Sequence, residues 1–195
     1  MERMRMYLTG VGGQGTLTAT TLLARIFLDA GLEVVSGEIH GMAQRGGVVE
    51  STILTGGWKS PCVYHGEADI MMGFEALETY RGLPYLAPKG VVFSSSEFIP
   101  PPGVSAGRET LPELAQITET VNSLASRSWF LPTRSIGSQA GSAQSANTAL
   151  LAALFASGVL PFGVDTLLAG IRKHLPAKVV DVNLKAVELT LQQVQ

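Results

Sequence analysis

The chain has 195 residues, 46% of them hydrophobic and only 15% charged, with a formal net charge of −2. That is the scale of one domain, residues 1–195, with ample core material. It excludes the basic footprint of a nucleic-acid binder, and no apolar run reaches membrane-spanning length.

Residues 4–9 are a short apolar segment running into glycines and are read as the first strand. From residue 15 to 30 the pattern is helical: Ala19, Leu22, Leu23, Ile26, Phe27 and Ala30 share one side, with Thr18, Thr21, Arg25 and Asp29 opposite. Gly31 ends this helix, and residues 32–36 follow as a second strand. This strand, glycine loop, helix, strand unit opens a parallel α/β sheet. Residues 48–55 alternate as a strand, with Gly56-Gly57 as a turn. Residues 68–73 read as a buried strand and 74–80 as a helix. After a turn at Pro88-Lys89-Gly90 comes another buried strand, 91–94. Pro100-Pro101-Pro102-Gly103 is expected to be stiff, extended and no place for a helix. Residues 111–126 read as a helix and 129–131 as a last strand. Residues 135–145, rich in Ser, Gly, Ala and Gln, are expected to be a loop with at most a helical turn. Residues 146–157, 164–175 and 180–194 are apolar-striped helices, broken at Pro161 and Pro176. The expected architecture is α/β: a Rossmann-like three-layer domain with a mostly parallel sheet and C-terminal helices.

Gly10-Val11-Gly12-Gly13-Gln14-Gly15 fits G-x-G-x-x-G between a strand and a helix. Glycines there admit close backbone approach, and the free N–H groups of the helix start favour negative charge. A dinucleotide loop would want an acidic residue about 20 positions on, near Glu38. A tight turn without ligand serves the glycines equally well. A phosphate-clasping P-loop is excluded, because Gly15-Thr16 lacks the lysine. A second segment, from Glu38 through His40, Gly41, Gln44 and Arg45 to Gly46-Gly47, sets a carboxylate, an imidazole, an amide and a guanidinium among glycines. Arg45 offers a fork of donors and His40 a switchable one, which suits an anion or carbonyl. A solvated loop in which Glu38 and Arg45 merely pair is the plainer alternative.

These two segments resemble, in register, those of the gamma subunit or domain of the 2-oxoacid:ferredoxin oxidoreductases (pyruvate, ketoisovalerate and indolepyruvate types). The chain looks most similar to the small subunits of the indolepyruvate type. Gly66-Glu67-Ala68-Asp69, Leu83-Pro84-Tyr85-Leu86, Lys89-Gly90-Val91-Val92 and Asn147 are further landmarks in order. The chain departs from the pattern at Leu54-Thr55, where relatives often carry a basic residue, and in the Ser/Gly/Ala stretch before Asn147. The resemblance implies oxidative decarboxylation of a 2-oxoacid, with coenzyme A as acyl acceptor and electrons passed to ferredoxin. It implies partner chains carrying thiamine diphosphate, Mg and iron–sulfur clusters.

The residues agree with that division of labour. Each cluster needs about four cysteines; this chain has one, Cys62. That also excludes an internal disulfide and fits a reducing cytoplasm, as does the lack of a signal-peptide pattern at the start. Cys62 is expected to be a half-buried structural thiol. His40, His65 and His174 stand in unlike contexts without metal-ligand spacing. No residue is assigned as catalytic, with His40 the candidate. Gly12, Gly13, Gln14, Gly15, Glu38, His40, Gly41, Gln44, Arg45 and Gly46 are expected to face substrate, coenzyme A or a partner chain, from the carboxyl ends of adjacent strands. Trp129 and Phe130 are expected in the core, and Trp58 over an exposed turn. Sparse surface charge suits burial by a larger subunit, and the isolated chain could self-associate as a homodimer through the same surface. The rivals are an independent NAD- or FAD-dependent oxidoreductase and a non-catalytic adaptor.

Overall fold

Strand alternation sets the layers. In the computed structural model, residues 3–40 and 47–194 are described, with the backbone but not the side chain of His40. The strands are β1 (Met4–Val11), β2 (Val34–His40), β3 (Val48–Thr55), β4 (Ala68–Gly73), β5 (Leu86–Ser95) and β6 (Arg127–Leu131). They form a sheet in the order β2-β3-β1-β4-β5-β6. β1, β4, β5 and β6 pair in parallel, while β3 runs against both β1 and β2. The sheet is therefore mostly parallel, as expected, with one strand reversed.

The helices are α1 (Thr16–Asp29), α2 (Ala76–Gly82), α3 (Pro102–Ser105), α4 (Leu114–Leu124), α5 (Thr133–Ala140), α6 (Ala146–Ala156), α7 (Val164–His174) and α8 (Ala177–Leu191). On one face Met6, Leu8, Ile53, Ile70, Met72 and Phe93 pack with residues of α1, α6, α7 and α8. On the other, Tyr7, Met71 and Val92 pack with Ile117 and Val121 of α4 and Ala76 of α2. Three layers result. Helix α6 is buried from Asn147 to Phe155. A helix apolar all round belongs in a core rather than on a surface.

Four local expectations are corrected. Residues 133–140 form a helix where a loop was expected over 135–145: Ile136 is buried in the main core, and Gly141, at φ 115, ends the helix. Pro102 opens a single helical turn inside the segment expected to be extended. Proline suits that first position, because the N–H it lacks would have had no partner there. β5 starts at Leu86 and absorbs the expected turn at Pro88-Lys89-Gly90 through a register shift against Ala68 and Ile70. β1 and β2 are not adjacent, since β3 lies between them.

Trp129 stacks on Phe93 with ring centroids 4.4 Å apart, and Phe130 packs against the second core. Trp58 lies under two cations, Arg3 at 4.9 Å and Arg5 at 5.3 Å. Cys62 is exposed rather than half-buried. No described helix is long and apolar enough to cross a membrane.

Candidate active-site crevice at the carboxyl ends of the strands

Parallel strands discharge their loops at one end of a sheet, and there open α/β proteins bind ligands. A cavity of about 400 Å³ lies at that end, lined by Gly12, Gly13, Gln14, Ser95, Glu97, Thr133, Arg134 and Asn147 among others. A second hollow of about 330 Å³ lies on the far side of the glycine loop, against α6 and α8.

The glycine loop is held from three sides. The Gln14 side-chain oxygen accepts from the Val11 N–H (2.7 Å), and its Nε2 donates to the Phe74 carbonyl (3.1 Å). Asn147 Nδ2 donates to the Gln14 carbonyl (2.6 Å) across 133 residues of sequence. The Gly12 N–H donates to the Gly47 carbonyl (2.7 Å), which ties the loop to the end of the second sequence segment. Gly15 caps α1 at φ 83, and a Cβ there would meet Asn147 Nδ2 at 2.7 Å. Only glycine fits both constraints. No side chain caps α1, and its first turn carries no acid. The helix start thus presents N–H groups and a partial positive charge.

The opposite wall is built from α5. Its N-terminus is already occupied by an internal anion: Glu97 accepts from the Arg134 N–H (2.6 Å), the Ser135 N–H (3.2 Å) and the Ser135 hydroxyl (2.6 Å). Thr133 Oγ1 donates to Ser95 Oγ (2.9 Å), and Thr79 and Ser94 hydroxyls meet behind it at 2.7 Å. Glu75 caps α2 by accepting from the Glu78 N–H (2.7 Å) and also accepts from the Ile99 N–H (3.0 Å). Burial pushes the Glu75 carboxyl up from its ordinary range. Glu78 is raised for the same reason, opposed by Arg81 at 2.7 Å. No trio of metal-ligating side chains occurs among the described residues. His174 meets Asp29 at 2.7 Å on an outer surface.

Of the residues singled out from sequence, Gly12, Gly13, Gln14 and Gly15 line the two hollows. The Gln14 side chain faces inward, bonding the loop to itself rather than to a ligand. Glu38 lies on β2, separated from β1 by β3. In the usual dinucleotide-binding order the second strand pairs directly with the first. The carboxylate that would read a ribose thus stands one strand spacing, about 4.8 Å, too far out. Gly41, Gln44, Arg45, Gly46 and the His40 side chain lie outside the described residues. Arg134, Glu97 and Thr133 were missed. Their signal, a carboxylate facing the start of a helix after the last strand, is invisible while residues 135–145 are read as a loop.

Fold and crevice define an open α/β protein with a cavity beyond the carboxyl ends of its strands. The chain belongs to the pyruvate ferredoxin/flavodoxin oxidoreductase family, whose model matches residues 5–193. It is 36% identical over 191 residues to indolepyruvate oxidoreductase subunit IorB of Archaeoglobus fulgidus, covering 98% of this chain and 95% of that one. The Pyrococcus horikoshii protein of the same name is also 36% identical over 191 residues, covering 97% and 95% of the two chains. In fold the chain is similar to pyruvate oxidoreductase subunit PORC of Thermotoga maritima (TM-score 0.71, 18% identity, 98% and 97% of the two chains). It also matches 31% of a 2-oxoglutarate:ferredoxin oxidoreductase chain from Magnetococcus marinus, solved with 2-oxoglutarate, coenzyme A and succinyl-CoA bound (TM-score 0.73, 17% identity, all of this chain).

Proposed function

We propose that this chain, as one domain, is the small subunit of a cytoplasmic 2-oxoacid:ferredoxin oxidoreductase. It helps form the site for coenzyme A or the oxoacid, while partner chains hold the redox cofactors. The reaction joins a 2-oxoacid and coenzyme A to give an acyl-CoA and CO₂, with two electrons passing singly to ferredoxin. The indolepyruvate relatives make an aryl 2-oxoacid the first substrate to test. The chain's donor set does not fit an iron–sulfur cluster, since its single thiol, Cys62, is exposed and alone. Thiamine diphosphate, when bound to a partner, supplies the electron sink for breaking the bond beside the carbonyl. This chain's part is to position and enclose.

The observation that carries the reading is the Gly12 to Gly47 hydrogen bond at the mouth of the crevice. It joins the glycine loop to the Arg45 segment, opposite a wall that carries Arg134. The uncapped α1 start and Arg134 suit a phosphate or carboxylate. The test is kinetic, in the full complex. Arg45→Ala and Arg134→Ala should each raise KM for coenzyme A or the oxoacid roughly tenfold, the loss of one charged hydrogen bond. The complex should still run intact on a sizing column. Unchanged KM values in an intact complex refute the reading. Dissociation instead assigns these loops to gripping the partner.

A further inference from the structure

The edge of a sheet is a row of unpaired backbone donors and acceptors, which proteins protect with short strands, charge, proline or a covering element. The two edges of this sheet, β2 and β6, are unlike. β6 is five residues long, opens on Arg127 and runs straight into α5. β2 is seven residues long, Val34–His40, and carries no lysine, arginine or proline. No backbone–backbone hydrogen bond joins residues 34–40 to any described element but β3. Apolar area collects at the same edge. Ile39 (66% exposed) and Tyr64 (69%) are the two most exposed large hydrophobic residues described, and both line the hollow over β2, β3 and β1.

Register fixes which side chains share a face. Val35, Gly37 and Ile39 pair with Leu54, Thr52 and Glu50 and so lie on the Tyr7 side of the sheet. Ser36 and Glu38, both exposed, lie on the α1 side. Suppose two such edges meet antiparallel about a twofold axis. Directly opposed side chains lie on one face and faces alternate along a strand, so the axis must pass through a residue. An axis at Ser36 would set Val34 against Glu38. One at Glu38 would set that carboxylate against its own copy, and like charges directly opposite are destabilising. An axis at Gly37, the middle of the strand, sets Val35 against Ile39 and Ser36 against Glu38. Each pair then occurs twice, apolar against apolar and hydroxyl against carboxylate, and the whole strand is used. The edge is self-complementary at that one position.

We propose that this chain pairs with a second copy of itself through β2, antiparallel about a twofold axis at Gly37, to give one continuous sheet with six strands from each copy. The interface is isologous, the same patch used twice, so it closes and does not propagate into fibres. It pairs the backbone groups of an otherwise open edge and covers Ile39 with Val35 of the second copy. Glycine on the axis also leaves room for the loop that crosses this face: a Cβ on Gly37 would fall 2.8 Å from the Cβ of Pro61. The proposal uses neither the glycine loop nor the crevice, so it stands apart from the oxidoreductase reading. One pair of edge strands is a small interface, and the expected dissociation constant is on the order of 10 μM.

Sedimentation velocity of the full-length chain, at concentrations about twentyfold to either side of that value, tests it. The sedimenting mass should rise from 20.6 kDa towards twice that. Ile39→Lys, at a position the single chain leaves in solvent, should weaken association more than about tenfold, because two apolar cross-strand pairs are lost. Ser36→Lys should tighten it and Ser36→Glu should loosen it, each several-fold, since Glu38 of the other copy faces that position twice. Melts of the dilute, monomeric chain should be close to wild type for all three variants, which are exposed. A chain that stays monomeric throughout, a dimer indifferent to Ile39→Lys, or Ser36 variants that shift association in the same direction overturns the proposal. So does a dimer that the larger subunit dissolves, since β2 would then be that subunit's docking edge.

Discussion

Glu97 offers the sharpest test of how the crevice is built. Its carboxylate takes three hydrogen bonds from the start of α5, two from backbone N–H groups and one from the Ser135 hydroxyl. Loss of a side-chain cap costs about 0.5–2 kcal/mol, typically about 1, and loss of a negative charge at a helix start about 0.3–1 kcal/mol. Glu97→Ala should therefore destabilise the chain by about 2 kcal/mol. Glu97→Gln, which keeps the acceptor but not the charge, should lose about half as much. For a chain of this length that is a fall in Tm of roughly 4–8 °C for the alanine variant. Glu113→Ala is the matched control, because Glu113 precedes α4 without capping it. Urea melts with unchanged slope would place the effect in the native state. If Glu97→Ala were no worse than Glu113→Ala, the internal-anion account of α5 would be wrong.

The tie between the glycine loop and α6 makes a further prediction. Asn147→Ala should cost about 1 kcal/mol, since it strips a half-buried carbonyl of its donor, and should speed hydrogen exchange in the first turn of α1. Gly15→Ala should cost a similar amount through its positive φ and its collision with Asn147. Combined, the two should be less than additive, because removing the amide makes room for the methyl. At the outer surface, Lys173 and His174 each bond Asp29 at 2.7 Å and hold its carboxyl below the usual range. A depressed carboxyl stabilises the fold above its unfolded pKa of about 3.9, and that stability disappears as acid protonates it. Asp29→Asn should therefore melt lower than wild type at neutral pH and converge with it in strong acid. A gap that persists below about pH 2 would sink this account.

What could be read from the sequence depended on where the stabilising partner lay. Residues 48–55 and 68–73 are strands as expected, because alternation and an apolar run are local patterns bounded by glycines. The α1 stripe from Ala19 to Phe27 is likewise self-evident. Helix α5 was missed because its N-terminal partner, Glu97, stands 37 residues earlier in the chain. Pro102 misled because proline forbids a helix interior but not its first residue. The exposure of Cys62 is set by how the loop before β4 folds over β3, which no short window encodes. In the candidate site, the glycine loop was legible and Arg134 was not. A motif announces itself, whereas a lone arginine matters only through the strand that precedes it.

The reversed strand explains why the two sequence segments meet. β2 ends at His40 and β3 begins at Val48, with His40 opposite Val49. An antiparallel pair can be closed by a short connection, whereas a parallel pair needs a crossover of a dozen residues or more. Had β3 run parallel, so short a link could not have reached its start at the far end of the sheet. Because β3 is reversed, its first residues lie at the carboxyl ends of β1 and β2, and Val48 pairs with Val11. The Gly12 to Gly47 hydrogen bond follows directly from that register. The same insertion moves Glu38 away from the glycine loop, so one topological change weakens the dinucleotide arrangement and sets Gly47, just before β3, against Gly12.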